Sequence, residues 1–230
     1  EAVSQVENSY YGHELEIMKR EERYKPIENT DRNVFTFWDL GTSDDTCIIF
    51  AQIIDNKMYI IDYHESSGKK IEDYGVVIHS KNYKYGGHYA PHDVSKRMLF
   101  GDLVTKAKEV GIDFRRVPKT NSVLEDIEIC RRNMKNVYIS TICEDLMNHL
   151  ENYRESNSGR PVHDKHSHGA DSFRTMIMAQ HLNLIQVYLT SGEKINLPDS
   201  VSAAEEYTDD RWFDDTESEK PLWKRFRGNI

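Results

Sequence analysis

From position 34 onward, the hydrophobic residues follow the spacing of β-strands. Residues 34–38 form an unbroken β-branched and aromatic run, and Gly41 then allows the chain to turn. Residues 46–54 and 58–64 are two further apolar runs, separated by the turn Asp55-Asn56-Lys57. Three strands joined by tight turns predict an antiparallel meander.

The chain that follows alternates helical and strand patterns. Helical spacing of apolar residues predicts helices at 69 to about 83, 103–110, 122–134, 146–153 and 167 to about 189. We expect Gly86-Gly87 to stop the first of these and Gly111 the second. Short strands are predicted at 88–90, 112–117 and 137–140. This order predicts an α/β fold, a mixed sheet of five to eight strands flanked by helices.

Two segments differ in composition from this central region, 34–190. Residues 1–33 show a loose helical pattern rich in Glu, Lys and Arg, which suits a linker leading from a domain absent here. Residues 193–219 hold ten acids and two bases with few aliphatics, so we expect 191–230 to be an acidic, flexible tail. The sequence therefore predicts one domain with two extensions.

Composition limits the class of protein without excluding a nucleic-acid partner. The hydrophobic content is 38%, the charged content 30% and the net charge −9. Residues 66–135 nevertheless hold 14 Lys/Arg against 9 Asp/Glu, so a basic face is compatible with the acidic average. Neither a membrane-spanning run nor a secretion signal is seen, and the three cysteines read as buried thiols of a reducing compartment. We expect a protein that is neither secreted nor membrane-bound.

Three aspartates occupy comparable places in the predicted fold. Asp39 ends the first strand, Asp93 follows a later strand, and Asp171 lies in the first turn of the last helix. Taken singly, each has an ordinary explanation, such as capping of the Thr42-Ser43 turn by Asp39. Taken together, three neighbouring acids would repel one another unless a cation joined them. Oxygen ligands suit Mg²⁺ or Mn²⁺, and two such ions about 4 Å apart hydrolyse phosphodiesters.

Histidines offer a rival interpretation of the same region. Five of them could in principle form a zinc site: His88, His92, His163, His166 and His168. No cysteine joins them, and their spacing matches no structural zinc pattern. The carboxylate interpretation is favoured.

Three motifs in matching order resemble the C-terminal nuclease domain of tailed-bacteriophage terminase large subunits. They are Trp38-Asp39-Leu40-Gly41-Thr42-Ser43-Asp44-Asp45-Thr46, His88-Tyr89-Ala90-Pro91-His92-Asp93 and the block 161–174, which ends in His168-Gly169-Ala170-Asp171-Ser172-Phe173-Arg174. The similarity covers about residues 10–185. It implies a ribonuclease H-like fold and a two-metal endonuclease that cuts concatemeric viral DNA during packaging in the host cytoplasm. It also implies an N-terminal ATPase half, a portal protein and a small terminase subunit as partners. No phosphate-loop motif occurs in this sequence.

The resemblance also assigns residues. Asp39, Asp93 and Asp171 match the metal-binding acids of the family, and Asp45 matches an auxiliary acid near the second metal. His168, three residues before Asp171, is a candidate contact to a phosphate or a water molecule. Candidate DNA phosphate contacts are Lys69, Lys70, Lys81, Lys84, Arg115, Arg116, Lys119, Arg131 and Arg132.

Two alternatives to a DNA-packaging endonuclease stay open at this point. The same superfamily includes junction resolvases, transposase-like enzymes and RNA-cleaving enzymes, which share the fold and differ in substrate. The chain could also be an interaction module that docks onto a portal through its acidic tail and is inactive alone.

Overall fold

A computed structural model describes residues 8–41, 45–92 and 103–185. The strands are β1 (Val34–Asp39), β2 (Asp45–Ile54), β3 (Lys57–Ser67), β4 (Tyr85–Pro91), β5 (Phe114–Val117) and β6 (Val137–Ile139). The helices are α1 (Gly12–Arg20), α2 (Ile71–Ser80), α3 (Leu103–Glu109), α4 (Val123–Asn133), α5 (Glu144–Asn152) and α6 (Lys165–His181).

The six strands form one mixed sheet in the order β5-β4-β1-β2-β3-β6. Strands β1, β2 and β3 pair antiparallel, while β4 pairs parallel with β1, β5 with β4 and β6 with β3. Asp55 and Asn56 both adopt positive φ between β2 and β3, as a tight hairpin turn requires. The predicted meander and the mixed α/β sheet are therefore confirmed.

Helices cover both faces of the sheet. On one face, α1, α4, α5 and α6 pack over a cluster that includes Phe37, Ile49, Ile60 and Phe173. On the other face, α2 and α3 enclose a second cluster around Trp38. The central strand β1 is buried along its whole length because both faces are covered.

Helix α1, which lies in the segment interpreted as a linker, packs into the first of these clusters. Leu15 and Met18 are 1% and 0% exposed. Beyond the helix, the Arg23 guanidinium donates hydrogen bonds to the carbonyls of Met134 and Val137 at 2.7 and 2.9 Å. These contacts make the described part of residues 1–33 continuous with the core of the sheet, and a link to a further domain stays a prediction.

Two helices end earlier than their apolar patterns predicted, in each case close to an asparagine with positive φ. Helix α2 ends at Ser80 and Asn82 has φ 49°, so Gly86-Gly87 does not stop the helix and lies within β4 instead. Helix α6 ends at His181 rather than near residue 189. There Asn183 has φ 54°, and the amide of Leu184 donates to the carbonyl of Ala179, which closes a Schellman cap.

No helix in these three stretches of chain is both long and apolar enough to cross a membrane. The predicted acidic tail at 191–230 lies outside the described residues.

Candidate active site at the sheet edge

Asp39 closes β1 on the face of the sheet covered by α6. Alternation along the strand places its side chain with those of Phe35 and Phe37, and the residue is 3% exposed. His168 Nδ1 lies 3.0 Å from Asp39 Oδ2 and donates a hydrogen bond to it. The suggested cap of the 42–43 turn lies outside the described residues. What the structure shows is a buried carboxylate held by a histidine 129 residues away.

Asp171 comes from α6, one turn after His168. The helix begins at Lys165, because Asp164 caps it by accepting a hydrogen bond from the His166 amide at 2.9 Å. Asp171 therefore lies in the second helical turn, and the prediction that it lies in the first turn is wrong. The helix dipole acts mainly within the first turn, so it is a weaker explanation for an acid at this place.

One oxygen of the Asp171 carboxylate is buried beside an arginine. Arg174 Nη1 forms an ion pair with its Oδ1 at 2.9 Å, a contact without hydrogen-bond geometry, and the Asp171 side chain as a whole is 26% exposed. Burial raises the pKa of Asp171 to about 6, the charge of Arg174 opposes this rise, and the nearby Asp39 carboxylate adds to it. The fold thus gathers two mutually repelling acids in a poorly solvated place.

A divalent cation fits this donor set. Two carboxylates that repel each other at one place suit a hard cation with oxygen ligands. Cys47 pairs with Asp39 across the sheet, but burial raises the pKa of its thiol well above the ordinary value, so no thiolate competes for the cation. The site suits Mg²⁺ or Mn²⁺ better than a thiophilic metal.

Two further predicted ligands differ in how far the structure describes them. Asp93 lies outside the described residues, so its role stays a prediction; its strand β4 runs parallel to β1 and ends beside it at Pro91. Asp45 opens β2 two residues before Cys47, and therefore faces the same side of the sheet as Asp39. Within residues 8–41, 45–92 and 103–185, no three His, Cys, Asp or Glu side chains are arranged to hold a metal ion. A metal site of three or more such ligands would require a residue outside these ranges, and Asp93 stays the predicted one.

The five histidines of the zinc interpretation do not come together. His88 lies on the opposite face of the sheet, where its Nδ1 is 2.7 Å from the Thr36 hydroxyl, and His92 is exposed. His163 packs beside His168 with ring centroids 5.5 Å apart, while His166 contacts His149 on α5 instead. The sheet therefore separates His88 from the three histidines near the start of α6.

Some of the predicted DNA contacts lie at the same end of the sheet as Asp39, where β1, β3, β4 and β5 all have their carboxyl ends. Lys69 and Lys70 follow the end of β3, where Ser67 pairs with Asp45. Lys119 follows β5, which runs parallel to β4 and ends beside Pro91. These three lysines therefore follow strands that end on either side of the Asp39 end of β1.

The remaining basic candidates lie elsewhere or are already paired. Arg115 and Arg116 lie within the outer strand β5, and Arg115 donates to the Tyr89 hydroxyl at 3.1 Å. Lys84 lies at the opposite end of β1, where its backbone carbonyl accepts a hydrogen bond from the Val34 amide. The other three make ionic or backbone contacts: Lys81 with Asp62, Arg131 with Glu14 and Glu128, and Arg132 with the Glu128 carbonyl.

The sequence reasoning missed two groups of polar residues around the acids. Arg174 lies between Asp171 and Asp126. Its Nε is 3.8 Å from Asp126 Oδ2, and the Thr120 hydroxyl donates a hydrogen bond to that same oxygen at 2.6 Å. A second group, Glu65 and His149, lies two strands away from Asp39. Only Arg174 carried a sequence signal, namely its spacing of three from Asp171 on a helix.

The structure matches solved structures of phage large terminases. It superposes on the nuclease domain of P22 large terminase with a TM-score of 0.58 and 19% identity, covering 72% of this chain and 90% of that one. The chain has the fold of a phage terminase nuclease domain. This fold is ribonuclease H-like, as the resemblance of the sequence motifs implied.

Two proteins from thermophilic phages give the same result. The large terminase nuclease of phage G20c, solved with bound cobalt, gives a TM-score of 0.53 at 18% identity and covers 76% of this chain and 98% of that one. The large terminase of another thermophilic phage, solved in complex with ATP-γ-S, gives 0.58 at 14% identity. That match covers 74% of this chain and 45% of the terminase chain, so this chain spans less than half of that relative. No family model and no curated protein matches the sequence.

Proposed function

We propose that this chain is a divalent-metal-dependent endonuclease that cleaves concatemeric double-stranded viral DNA during genome packaging. The observation that carries the proposal is the meeting of Asp39 and Asp171 from distant parts of the sequence, in a terminase nuclease fold. Burying two repelling carboxylates costs stability, and such a cost is expected where a site serves function.

Asp39 and Asp171, together with Asp93 and the auxiliary acid Asp45, would hold two Mg²⁺ or Mn²⁺ ions. Such ions activate water for attack on phosphorus and stabilise the leaving oxygen of a phosphodiester. His168 holds one oxygen of Asp39 through its Nδ1, which fixes the orientation of that carboxylate. The G20c nuclease has also been solved with bound magnesium, with a TM-score of 0.50 to this chain, which supports the choice of metal.

The DNA would lie across the carboxyl ends of the strands, beside Lys69, Lys70 and Lys119. These lysines flank the end of β1 that carries Asp39, and cations there would contact phosphates on either side of the scissile bond. Arg131 and Arg132 are less suited to this role, because both are engaged with residues of α1 or α4.

The partners of the whole protein also belong to this proposal. The large terminase solved with ATP-γ-S is more than twice as long as its matched part, which supports an ATPase domain as the neighbour of this one. A portal protein and a small terminase subunit would complete the packaging assembly in the host cytoplasm.

Cleavage of supercoiled plasmid DNA tests the proposal. We expect nicking and linearisation with Mg²⁺ or Mn²⁺, none with EDTA, and a loss of at least about 100-fold in Asp39→Asn, which keeps the size of the side chain but weakens cation binding. Asp55→Asn, in the hairpin at the other end of β2, is the matched control and should cut like the wild type. Equal cutting by Asp39→Asn would refute the assignment.

Substrate choice separates the proposal from its alternatives. A packaging endonuclease should cut linear duplex at least as fast as a four-way junction or an RNA–DNA hybrid. Preference for the junction would identify a resolvase-like enzyme instead. A folded chain that neither binds metal nor cuts any of these substrates would point to an interaction module.

A further inference from the structure

A chain of polar side chains joins three elements beside the acids. Asp39 pairs with Cys47 across β1 and β2, and Cys47 pairs with Glu65 across β2 and β3. Residues paired across a sheet point to the same face, so Glu65 faces the same helices as Asp39, two strands away. Above it, His149 of α5 connects Glu65 to His166 of α6.

The contacts of His149 are short and directional. Its Nε2 donates to Glu65 Oε2 at 2.6 Å, and the Tyr63 hydroxyl donates to the same oxygen at 2.8 Å. Because Nε2 donates, Nδ1 of the neutral imidazole is an acceptor, and His166 Nδ1 lies 3.3 Å from it. The His149 side chain is only 9% exposed, and losing either partner would leave a buried polar nitrogen without a hydrogen bond.

The backbone of α6 is shaped to accept this side chain. A Cβ added to Gly169 would lie 2.8 Å from three atoms of His149, so only glycine lets the imidazole approach the helix so closely. The start of α6 is fixed further by Asp164, which caps the helix and pairs with Arg154 at 3.2 Å. Hydrogen bonds and close packing together fix the first turn of α6 against β3 and α5.

That same turn carries His168, which holds Asp39, and Asp171 follows one turn later. A shift of this turn would move both groups relative to β1. We propose that His149, bridging Glu65 and His166, is a positioning residue that sets α6 over β1 so that Asp39 and Asp171 can share divalent cations. This role rests on the proposed nuclease function.

The test measures Mn²⁺ binding by calorimetry alongside plasmid cleavage and thermal stability. His149→Phe keeps the planar bulk and removes both hydrogen bonds, and we expect about tenfold weaker Mn²⁺ binding with a matching loss of cleavage at limiting metal. Glu65→Gln should keep most of the wild-type affinity, because a Gln carbonyl still accepts from His149 Nε2. Leu146→Ala, a buried site on the same helix, is the control for lost stability and should leave Mn²⁺ affinity unchanged.

Two results would overturn the proposal. One is wild-type Mn²⁺ affinity in folded His149→Phe. The other is an equal loss of affinity in Leu146→Ala at equal loss of thermal stability, because His149 would then act only through general packing. A wild-type protein that neither binds Mn²⁺ nor cuts DNA would instead refute the nuclease function itself, which keeps the two failures distinguishable.

Discussion

The buried His88 should make the fold sensitive to acid. It pairs with Thr36 across β1 and β4, and Trp38 Nε1 donates to the Thr36 hydroxyl at 2.7 Å. The hydroxyl hydrogen is then directed to His88 Nδ1, also at 2.7 Å. Nδ1 therefore acts as an acceptor, and protonating it would leave the Thr36 hydroxyl hydrogen without a partner in a buried place.

The size of the effect follows from the pKa. Burial, with a smaller contribution from the charge of Arg115, lowers the pKa of His88 from 6.5 to about 4. Such a shift corresponds to about 3 kcal/mol of folding free energy. The unfolded chain takes up this proton near pH 6.5 while the folded chain resists it, so the stabilisation is complete above 6.5 and is lost as the pH falls towards 4.

Urea denaturation at about pH 7 and about pH 4.5, followed by circular dichroism, measures this contribution. His88→Gln cannot take up the proton, so the fall in its free energy of unfolding between these two conditions should be smaller than in the wild type by about 2 kcal/mol. A pH dependence in His88→Gln that parallels the wild type would refute the reasoning.

Two further changes test the packing of the sheet. Gly86→Ala places a Cβ 2.5 Å from the Phe35 ring, at a point where the pairing of β1 with β4 shifts register, so we expect about 1–3 kcal/mol of destabilisation in urea. An unchanged midpoint would show that the ring moves aside. Gln52→Leu removes the buried amide that donates to the carbonyls of Thr30 and Arg32, and should cost about 2 kcal/mol and expose the segment before β1 to proteolysis. Wild-type protease resistance would contradict that role.

The sequence predicted the elements of this fold better than their ends. The meander followed from apolar runs and the Asp55-Asn56 turn, because a tight hairpin leaves few other pairings. Helices α2 and α6 ended early because Asn82 and Asn183 adopt positive φ, which the apolar pattern does not report. The pattern predicts a helix stop at Gly86, whereas in the structure Gly86 lies in β4 and the Phe35 ring packs closely against it.

The sequence indicated the candidate acids but not their polar neighbours. Asp39 was marked by its place at the end of a strand, and Asp171 by its place near the start of a core helix, although the structure puts it in the second turn. Their polar neighbours depend on which strands pair and which helices cross. Glu65 and His149 are 84 residues apart, and only the sheet register and the α5–α6 contact bring them together.

Direct measurement of Mn²⁺ binding tests the central claim, that Asp39 and Asp171 together hold divalent metal. Calorimetric titration of the wild type, Asp39→Asn, Asp171→Asn and the control Asp55→Asn would be compared at one neutral pH. The account predicts binding to the wild type and the control, and at least about tenfold weaker binding to each of the other two. Wild-type affinity in either Asp39→Asn or Asp171→Asn would contradict it.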